Sequence, residues 1–552
     1  MKKEVNNFGD SQNGSEKKQV DGNVLKLEFL PSTPEKSQYL NGSTDKMGAK
    51  IPEPENSIFQ CRYLVVLLDF FVFCEINAYA LGTSISVVAM VNNTAVNSQT
   101  HSNTTAISCP VNTTDSDGHQ FRENDGEFDW SPAIQGYVLG AGFLGYVITQ
   151  MPGGLLAQTY GAKTTLICGL LLSSIAHVLS PFAAWTSSYL MMLVQFLRGF
   201  GQGFLPSAHC VLSANWFPSP ERGLLNSLVL SGYSIGSLLT GFSAGALCSS
   251  TFLGGWPSVF FIHGGLGLIL CLCFQLFLFE SPKCHPRIKD AELNYILQNQ
   301  EMDLSENRPP IPWKKIFTSG PVFALVYAVF ATYWIGAHFL SVQPIFLGTI
   351  LRFSIQETGI FTSLPFIFQS IFVYGGGWVS SWLNKHNYVG VDKVRKGCNF
   401  LCCLGYSLGL LGVYFSGCDR WTSAVLSVAA MSFNGFSSTG CMITPVDMSP
   451  TFAGTVMGLA NTIACVAAFT FPVLVGIMTN EEQTLEQWNK IFMMCIALIM
   501  SSGIIFCVFG SADVQSWNYP ENEETDKKPT KENKVEGSVE TTEKPMDAVV
   551  HL

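Results

Sequence analysis

Charge is what this sequence has least of. Asp, Glu, Lys and Arg make up 13% of its 552 residues, where a soluble domain carries about 25%. The deficit is uneven. Residues 1–62 and 514–552 are rich in Lys, Glu, Ser and Asn, hold no long apolar run, and read as disordered tails. The first 30 residues lack the apolar core of a signal peptide, so the first apolar helix has to act as the targeting signal. No Lys/Arg patch is interleaved with aromatics, so nucleic acid is not implied. No Cys/His spacing suggests zinc, and no phosphate loop or nucleophile–base pair stands in a credible setting. The sequence therefore predicts neither an enzyme nor a resident metal or cofactor. Most of the 17 cysteines fall in apolar runs, where a cysteine behaves as a small hydrophobe. Cys109 is the exception: a free thiol, or half of a disulfide with an outward-facing cysteine such as Cys248 or Cys418.

What the chain has instead is long apolar runs. A hydrocarbon core of roughly 30 Å needs about 20 apolar residues of helix. About twelve runs qualify: 63–91, 132–157, 163–184, 187–215, 224–247, 256–279, 321–349, 355–382, 398–416, 421–446, 455–478 and 490–512. The fold class predicted is an all-α polytopic membrane protein. Residues 63–280 and 321–513 form two six-helix bundles, and 281–320 is the loop between them. Two such halves with a binding cavity between them is a common transporter plan.

Orientation follows from the basic residues. Segment 281–320 carries Lys283, Arg287, Lys289, Arg308, Lys314 and Lys315, and segment 384–397 carries Lys385, Lys393, Arg395 and Lys396. Lys and Arg gather on the cytoplasmic side. The loop 92–131 has Arg122 alone against six acids, and it holds three sequons, at Asn92, Asn103 and Asn112. Glycan acceptors work only on the outer or lumenal side. Both termini are then expected in the cytoplasm, in the plasma membrane or a vesicle membrane.

Several stretches are more specific than hydropathy. WSPAIQGYVLGAGFLGYVITQMPGGLLAQTYGAK (130–163), WFPSPERGLLNSLVLSGYSIGSLL (216–239), GWPSVFFIHGGLG (255–267), ESPKCHPRIKDAELNYI (280–296), VDMSPTFAGTVMGLANT (446–462) and ADVQSW (512–517) stand out. Together they resemble the anion–cation symporter branch of the major facilitator superfamily, over about residues 60–520. That branch holds sialin, the vesicular glutamate transporters and the type I sodium–phosphate cotransporters. The resemblance implies a monomeric carrier of a small anion (phosphate, a carboxylate or a urate-like ion). It would work by alternating access in a lipid bilayer, with Na⁺ or H⁺ as coupling cation.

The sequence also departs from that family. The first-helix Arg is replaced, with Ala80 at its counted position, and Thr332 stands where the glutamate branch has a seventh-helix Arg. In the fourth helix the family pattern Arg-x-x-Gln-Gly-x-x-Glu-Gly becomes Gln195-Phe-Leu-Arg198-Gly-Phe-Gly-Gln202-Gly203, so Arg and Gln have exchanged places. Gln195, Arg198 and Gln202 share one helix face. A mid-span Arg points into the bundle, where Arg198 either contacts substrate or a coupling network, or is structural and satisfied by backbone carbonyls. Gln202 stands where proton-coupled relatives carry Glu, and a Gln cannot titrate.

The first helix holds two acids. Asp69 is close enough to its end to snorkel. Glu75 lies near mid-span, where a carboxylate must pair, bind a cation or be protonated. A salt bridge to Arg198, a Na⁺ site and a titrating coupling group are its open roles. Asn461 faces the cavity by resemblance or serves as packing glue. His338, with Tyr333 and Gln343 in the seventh helix, either binds an anion or is a hydrogen-bonded core residue. Asp447 and the Glu221–Arg222 pair sit at cytoplasmic helix ends, where latching one bundle to the other is the expected role. Two rival readings remain: a neutral or zwitterionic substrate, and a non-transporting receptor or scaffold that keeps the fold.

The orientation is testable on sealed vesicles. An impermeant amine reagent is expected to reach Lys315 only from the face opposite the glycans on Asn92, Asn103 and Asn112. Labelling that put Asn103 and Lys315 on one face would refute the topology.

Overall fold

The computed structural model describes residues 60–92, 126–300, 311–386, 388–480 and 483–518. All of these belong to one compact unit, Pro54–Leu552. Residues 1–59 and 519–552, Cys109 and the sequons at Asn103 and Asn112 lie outside the described residues, whereas Cys61 and Arg62 of the expected first tail begin a helix and Asn518 of the second bonds Ser449 and Thr451. Ten helices are long and apolar enough to cross a membrane: Cys61–Met90, Pro132–Tyr160, Ala162–Thr186, Pro220–Ser249, Pro257–Phe277, Gly320–Ile350, Ile355–Lys385, Val391–Ser416, Ala453–Met478 and Leu485–Phe509.

The fourth and tenth of the twelve expected spans are interrupted. The fourth runs Ser188–Gln202, breaks at Gly203 and resumes as Phe204–Trp216. Gly203 packs against the Tyr146 carbonyl and the Thr149 hydroxyl of the second span, with no room for a Cβ. The tenth runs Arg420–Ser432, tightens to a 3₁₀ turn at Phe433–Gly435, and ends in two short pieces, Phe436–Thr439 and Thr444–Met448. Interrupted helices in corresponding positions of two halves mark the binding region of a carrier. The seventh span widens into π turns at His338–Val342 and Phe346–Ile350.

Helix ends are closed by remote carboxylates on the face that carries the basic segments, here the basic face. Glu280 accepts from the Ala162 and Lys163 amides at 2.5 and 3.0 Å, where Gly161 turns the chain at φ +97°. Glu292 accepts from the Cys61 and Arg62 amides at 3.1 and 3.0 Å. A negative group at a helix N-terminus fills orphan donors and meets the positive end of the dipole. Glu292 belongs to a helix, Asp290–Gln298, and a second short helix covers Trp313–Thr318. The 281–320 segment is thus not a plain loop but a partly helical clasp on the first bundle. On the opposite, acidic face the Thr422 hydroxyl and amide hold the Asp419 carboxyl below the usual carboxylate range. Cys418 beside it is disulfide-bonded, whereas Cys248 is a free thiol.

The two halves meet along seams near the acidic face. Ser84 donates to the Ser341 carbonyl at 2.7 Å between the first and seventh spans. Gly136 and Gly476 bring the second and eleventh backbones together: a Cβ on Gly136 would lie 2.6 Å from the Pro472 carbonyl oxygen. Gly245 meets the Gly359 Cα in the same way, at 3.2 Å between the fifth and eighth spans. Towards the basic face, Gly454 and Gly458 of the eleventh span have no neighbour within 4 Å of a Cβ position. These two glycines therefore stand clear of any neighbouring helix in this conformation. The halves are closed on the acidic side and parted at these positions on the basic side.

A side chain at Gly136 would strike backbone atoms, which cannot swing aside. Overpacking of this kind costs about 1–3 kcal/mol. Gly136→Leu is expected to disfavour the closed seam, so that a cysteine introduced at Leu139 reacts faster with an impermeant thiol reagent added on the acidic face. An unchanged labelling rate would refute the seam as the closed gate.

Candidate functional site

The interrupted fourth span carries a polar ladder. Arg198 Nε donates to Gln195 Oε1 at 2.6 Å, and Nη1 donates to Gln202 Oε1 at 2.7 Å. Each glutamine is fixed in turn. Gln195 Nε2 donates to the Ser180 hydroxyl at 3.1 Å, and Gln202 Nε2 donates to the Ile76 carbonyl at 3.1 Å. Nη2 of Arg198 fills the space over Gly142 of the second span. The guanidinium is 3% exposed, and its partners are side-chain amides rather than the backbone carbonyls of a purely structural arginine. Among the described residues it has no ion pair. Two amide dipoles are a partial answer to a full charge, and that leaves a buried cation with attraction to spare.

Glu75 does not pair with Arg198. The guanidinium is drawn along its own helix by Gln195 and Gln202, while Glu75 lies one turn before Tyr79 on the first span. The Tyr79 ring stacks on His177 at 4.1 Å, and its hydroxyl bonds Ser174 at 2.9 Å. Tyr79 lies within electrostatic reach of both charges. Glu75 Oε2 is buried and has no hydrogen-bond partner.

Asp69 does not snorkel either. It is fully buried, and its Oδ2 lies 2.5 Å from His209 Nδ1 on the fourth span. Sequence reading missed His209, a lone histidine in an apolar run. Its signal is periodicity: His209 follows Gln202 by seven residues and so continues the face of Gln195, Arg198 and Gln202.

Where the halves meet, a second polar group gathers. Tyr146 lies within electrostatic reach of Tyr233 in its own half and of Tyr333 and Cys465 in the other. Cys465 donates to Gln150 Oε1 at 3.1 Å across the seam. Asn461 accepts from the Tyr333 hydroxyl at 3.4 Å. Asn461 thus ties the eleventh span to the seventh beside this group.

His338 stands apart. It is fully buried in the second bundle, bonded through Nδ1 to the Tyr406 hydroxyl at 2.7 Å and packed on Phe339, Phe471 and Phe492. It is a core histidine here rather than a ligand of the seam. The residues expected to latch the bundles are tied within their own halves. Glu221 accepts from Tyr295 at 2.9 Å and lies 3.4 Å from Arg62, and Asp447 binds Arg395 at 2.7 Å. Arg222 donates to the Phe217 carbonyl at 3.3 Å. Asn92 is fixed by its backbone, donating to the Phe128 carbonyl at 2.9 Å.

Two six-helix halves, seams on one face and a polar centre on interrupted helices define an alternating-access carrier fold. Residues 78–472 match the Major Facilitator Superfamily, and the chain belongs to that family. Its place within the family is the anion–cation symporter branch. It is 31% identical to a Drosophila melanogaster protein assigned as an inorganic phosphate cotransporter, over 84% of this chain and 88% of that one. It is 28% identical to human sialin over 86% and 95% of the two chains. With vesicular glutamate transporter 2 of Bos taurus the identity is 28% over 87% and 80%. Among solved structures, a bacterial homologue of the human lysosomal transporter Spinster, inward-facing and unoccupied, superposes with a TM-score of 0.60 at 14% identity, covering 82% of this chain and 97% of that one. The D-xylose–proton symporter gives 0.59 at 14% identity, covering 82% and 99%. These last two likenesses concern the fold alone. The chain is a multi-pass integral membrane protein.

The contrast between His338 and the ladder is measurable. Tyr406→Phe removes one buried hydrogen bond, worth about 1 kcal/mol. It is expected to lower the thermal stability of the solubilised protein and leave substrate KM unchanged. A raised KM at unaltered stability would put His338 back at the site.

Proposed function

We propose that this protein is an ion-coupled carrier of small anions that works by alternating access, with Arg198 as the cation that draws the anion in. The observation that carries the reading is a buried arginine held by two amides and no carboxylate. At an effective dielectric of about 20, a unit charge at 4 Å attracts its opposite by about 4 kcal/mol. An anion in the seam beside the fourth span gains part of that energy. The relatives named for phosphate, sialic acid and glutamate transport support the same charge class. Gln195, Gln202, Asn461 and the seam tyrosines supply hydrogen bonds that orient the solute. The coupling cation is Na⁺ or H⁺, the working unit is a monomer, and both termini face the cytoplasm. The sequons at Asn92, Asn103 and Asn112 then face the lumen or the exterior, in the plasma membrane or in a vesicle.

Glu75 favours a second reading. Its unpartnered oxygen, in the same bundle as Arg198, offers an acceptor that suits the ammonium of a zwitterionic solute or a coupling cation.

Proteoliposome uptake separates these readings. Phosphate, glutamate and a neutral amino acid are offered with Na⁺ gradients, pH gradients and neither. Anion uptake driven by an ion gradient is expected, with kcat/KM falling about tenfold or more in Arg198→Ala, a loss of about 1.4 kcal/mol or more. Arg198→Lys keeps the charge but not the two-pronged geometry and is expected to fall between. Uptake of the neutral solute alone, or an Arg198→Ala protein equal to its parent, would overturn the anion reading.

A further inference from the structure

The fourth-span ladder does not end at Gln202. Two turns on, past the break at Gly203, His209 meets Asp69 of the first span at 2.5 Å. The contact is a carboxylate–imidazole pair deep in a bundle, and the anion reading leaves it without a task. Asp69 is 0% exposed and His209 is 5% exposed, so what access to water remains is on the imidazole side. The second carboxylate oxygen, Asp69 Oδ1, is sealed and has no hydrogen-bond partner.

The surroundings add no ion that would fix the pair's charge. Tyr233 of the fifth span and Cys210 of its own helix feel Asp69, and both are neutral hydroxyl or thiol groups. Arg62 directs Nη2 to Glu221 at 3.4 Å, with Nε and Nη1 unpartnered, and Arg198 is bonded to its glutamines. Glu75 faces Tyr79. From the third span, Lys163 is tied to the Gln275 carbonyl and His177 stacks on Tyr79. Cys271 of the sixth span lies within electrostatic reach of Tyr79, and Tyr146 of the second span within reach of Tyr233.

A pair of this kind has two charge states. With imidazolium beside carboxylate it is neutral overall. When the proton leaves Nε2 for water, the ring keeps its lone pair and the carboxylate stays charged, so the net charge is −1. Hydrocarbon and packed protein penalise the second state heavily and water does not. Proton occupancy therefore follows water access, which is the property a coupling site needs.

The cover over the pair reaches the other half of the molecule. The Phe73 ring stands edge-on to His209 at 5.0 Å and to Tyr233 at 4.9 Å. Tyr233 lies within electrostatic reach of Tyr146, and Tyr146 within reach of Tyr333 and Cys465 across the seam. A rocking motion that changes what Tyr146 meets shifts the aromatic cover as well.

We propose that Asp69 and His209 form the proton-binding site that couples this carrier to a pH gradient, opened and closed by Phe73 and Tyr233. The proposal rests on the anion-carrier reading for its use, but its site can be tested without a substrate. Infrared difference spectra of the full chain in lipid, taken between acid and neutral pH with no solute, should show a titrating imidazole–carboxylate signal. Asp69→Asn and His209→Gln should each remove it. Spectra unchanged by both substitutions would overturn the site. In proteoliposomes, anion accumulation driven by a pH gradient should fall about tenfold or more in Asp69→Asn, while solute exchange at equal pH falls by less than about twofold. That split would not arise from a loss of folding, which lowers both alike. Accumulation that follows Na⁺ and ignores pH, or that survives in Asp69→Asn, would also overturn the proposal. A parent protein that carries no anion yet shows the titrating signal would sink the transport reading and leave the proton site standing.

Discussion

The whole structure answers to one constraint: hydrocarbon offers no hydrogen bonds and no solvation for charge. Backbone groups must then be satisfied within helices, and each ionisable side chain placed inside must be paid for by partners within the protein. Against that background the interior of the first bundle is unusual. It holds Arg198, Glu75 and an Asp69–His209 pair within the span of two helices. Arg198 is answered by two amides instead of an acid, and Glu75 Oε2 by nothing. Apolar replacements would pack such a bundle with less penalty, so stability alone does not account for these groups.

The same constraint explains where the halves touch. Between apolar surfaces in lipid there is little hydrophobic drive, and close van der Waals contact through small residues takes its place. Gly136 with Gly476, and Gly245 with Gly359, bring backbones into contact on the acidic face. Contacts between bare backbones have no interlocking side chains to withdraw, so such a seam can part as a unit. The basic face is held differently. Glu221 with Arg62 and Tyr295, and Asp447 with Arg395, stiffen each half by itself. Two rigid bodies joined along a smooth seam are what rocking requires.

Much of this was legible in the sequence. Apolar length located the spans, ten of which are helices of membrane length among the described residues. What failed did so for identifiable reasons. Hydropathy averages over a window, so it could not see that the fourth and tenth spans break at Gly203 and near Gly435. Depth along a helix left Asp69 close enough to the end to snorkel and Glu75 with three open roles, a salt bridge to Arg198 among them. Depth carries no information about which neighbour a given face meets, and Asp69 meets His209 while Glu75 lies beside Tyr79. His338 drew attention as a histidine in the seventh helix, yet its partner is Tyr406, 68 residues away in sequence. Tyr146 and Tyr233 sit in ordinary apolar runs, and only the folded chain brings them to the seam.

The two polar groups of the first bundle are connected by geometry and differ in kind. The ladder at Arg198 is rigid: every donor it uses is met by a glutamine that is itself anchored, to Ser180 on the third span and to Ile76 on the first. A rigid cation changes little between conformations, so an anion is attracted from whichever side is open. The contacts around Tyr146 and Tyr233 are of the other sort, because Tyr146 takes neighbours from both halves. Those contacts cannot all survive a relative rotation of the bundles. One element that stays fixed and attracts charge, beside another that must be remade whenever the halves move, is the minimum that alternating access needs.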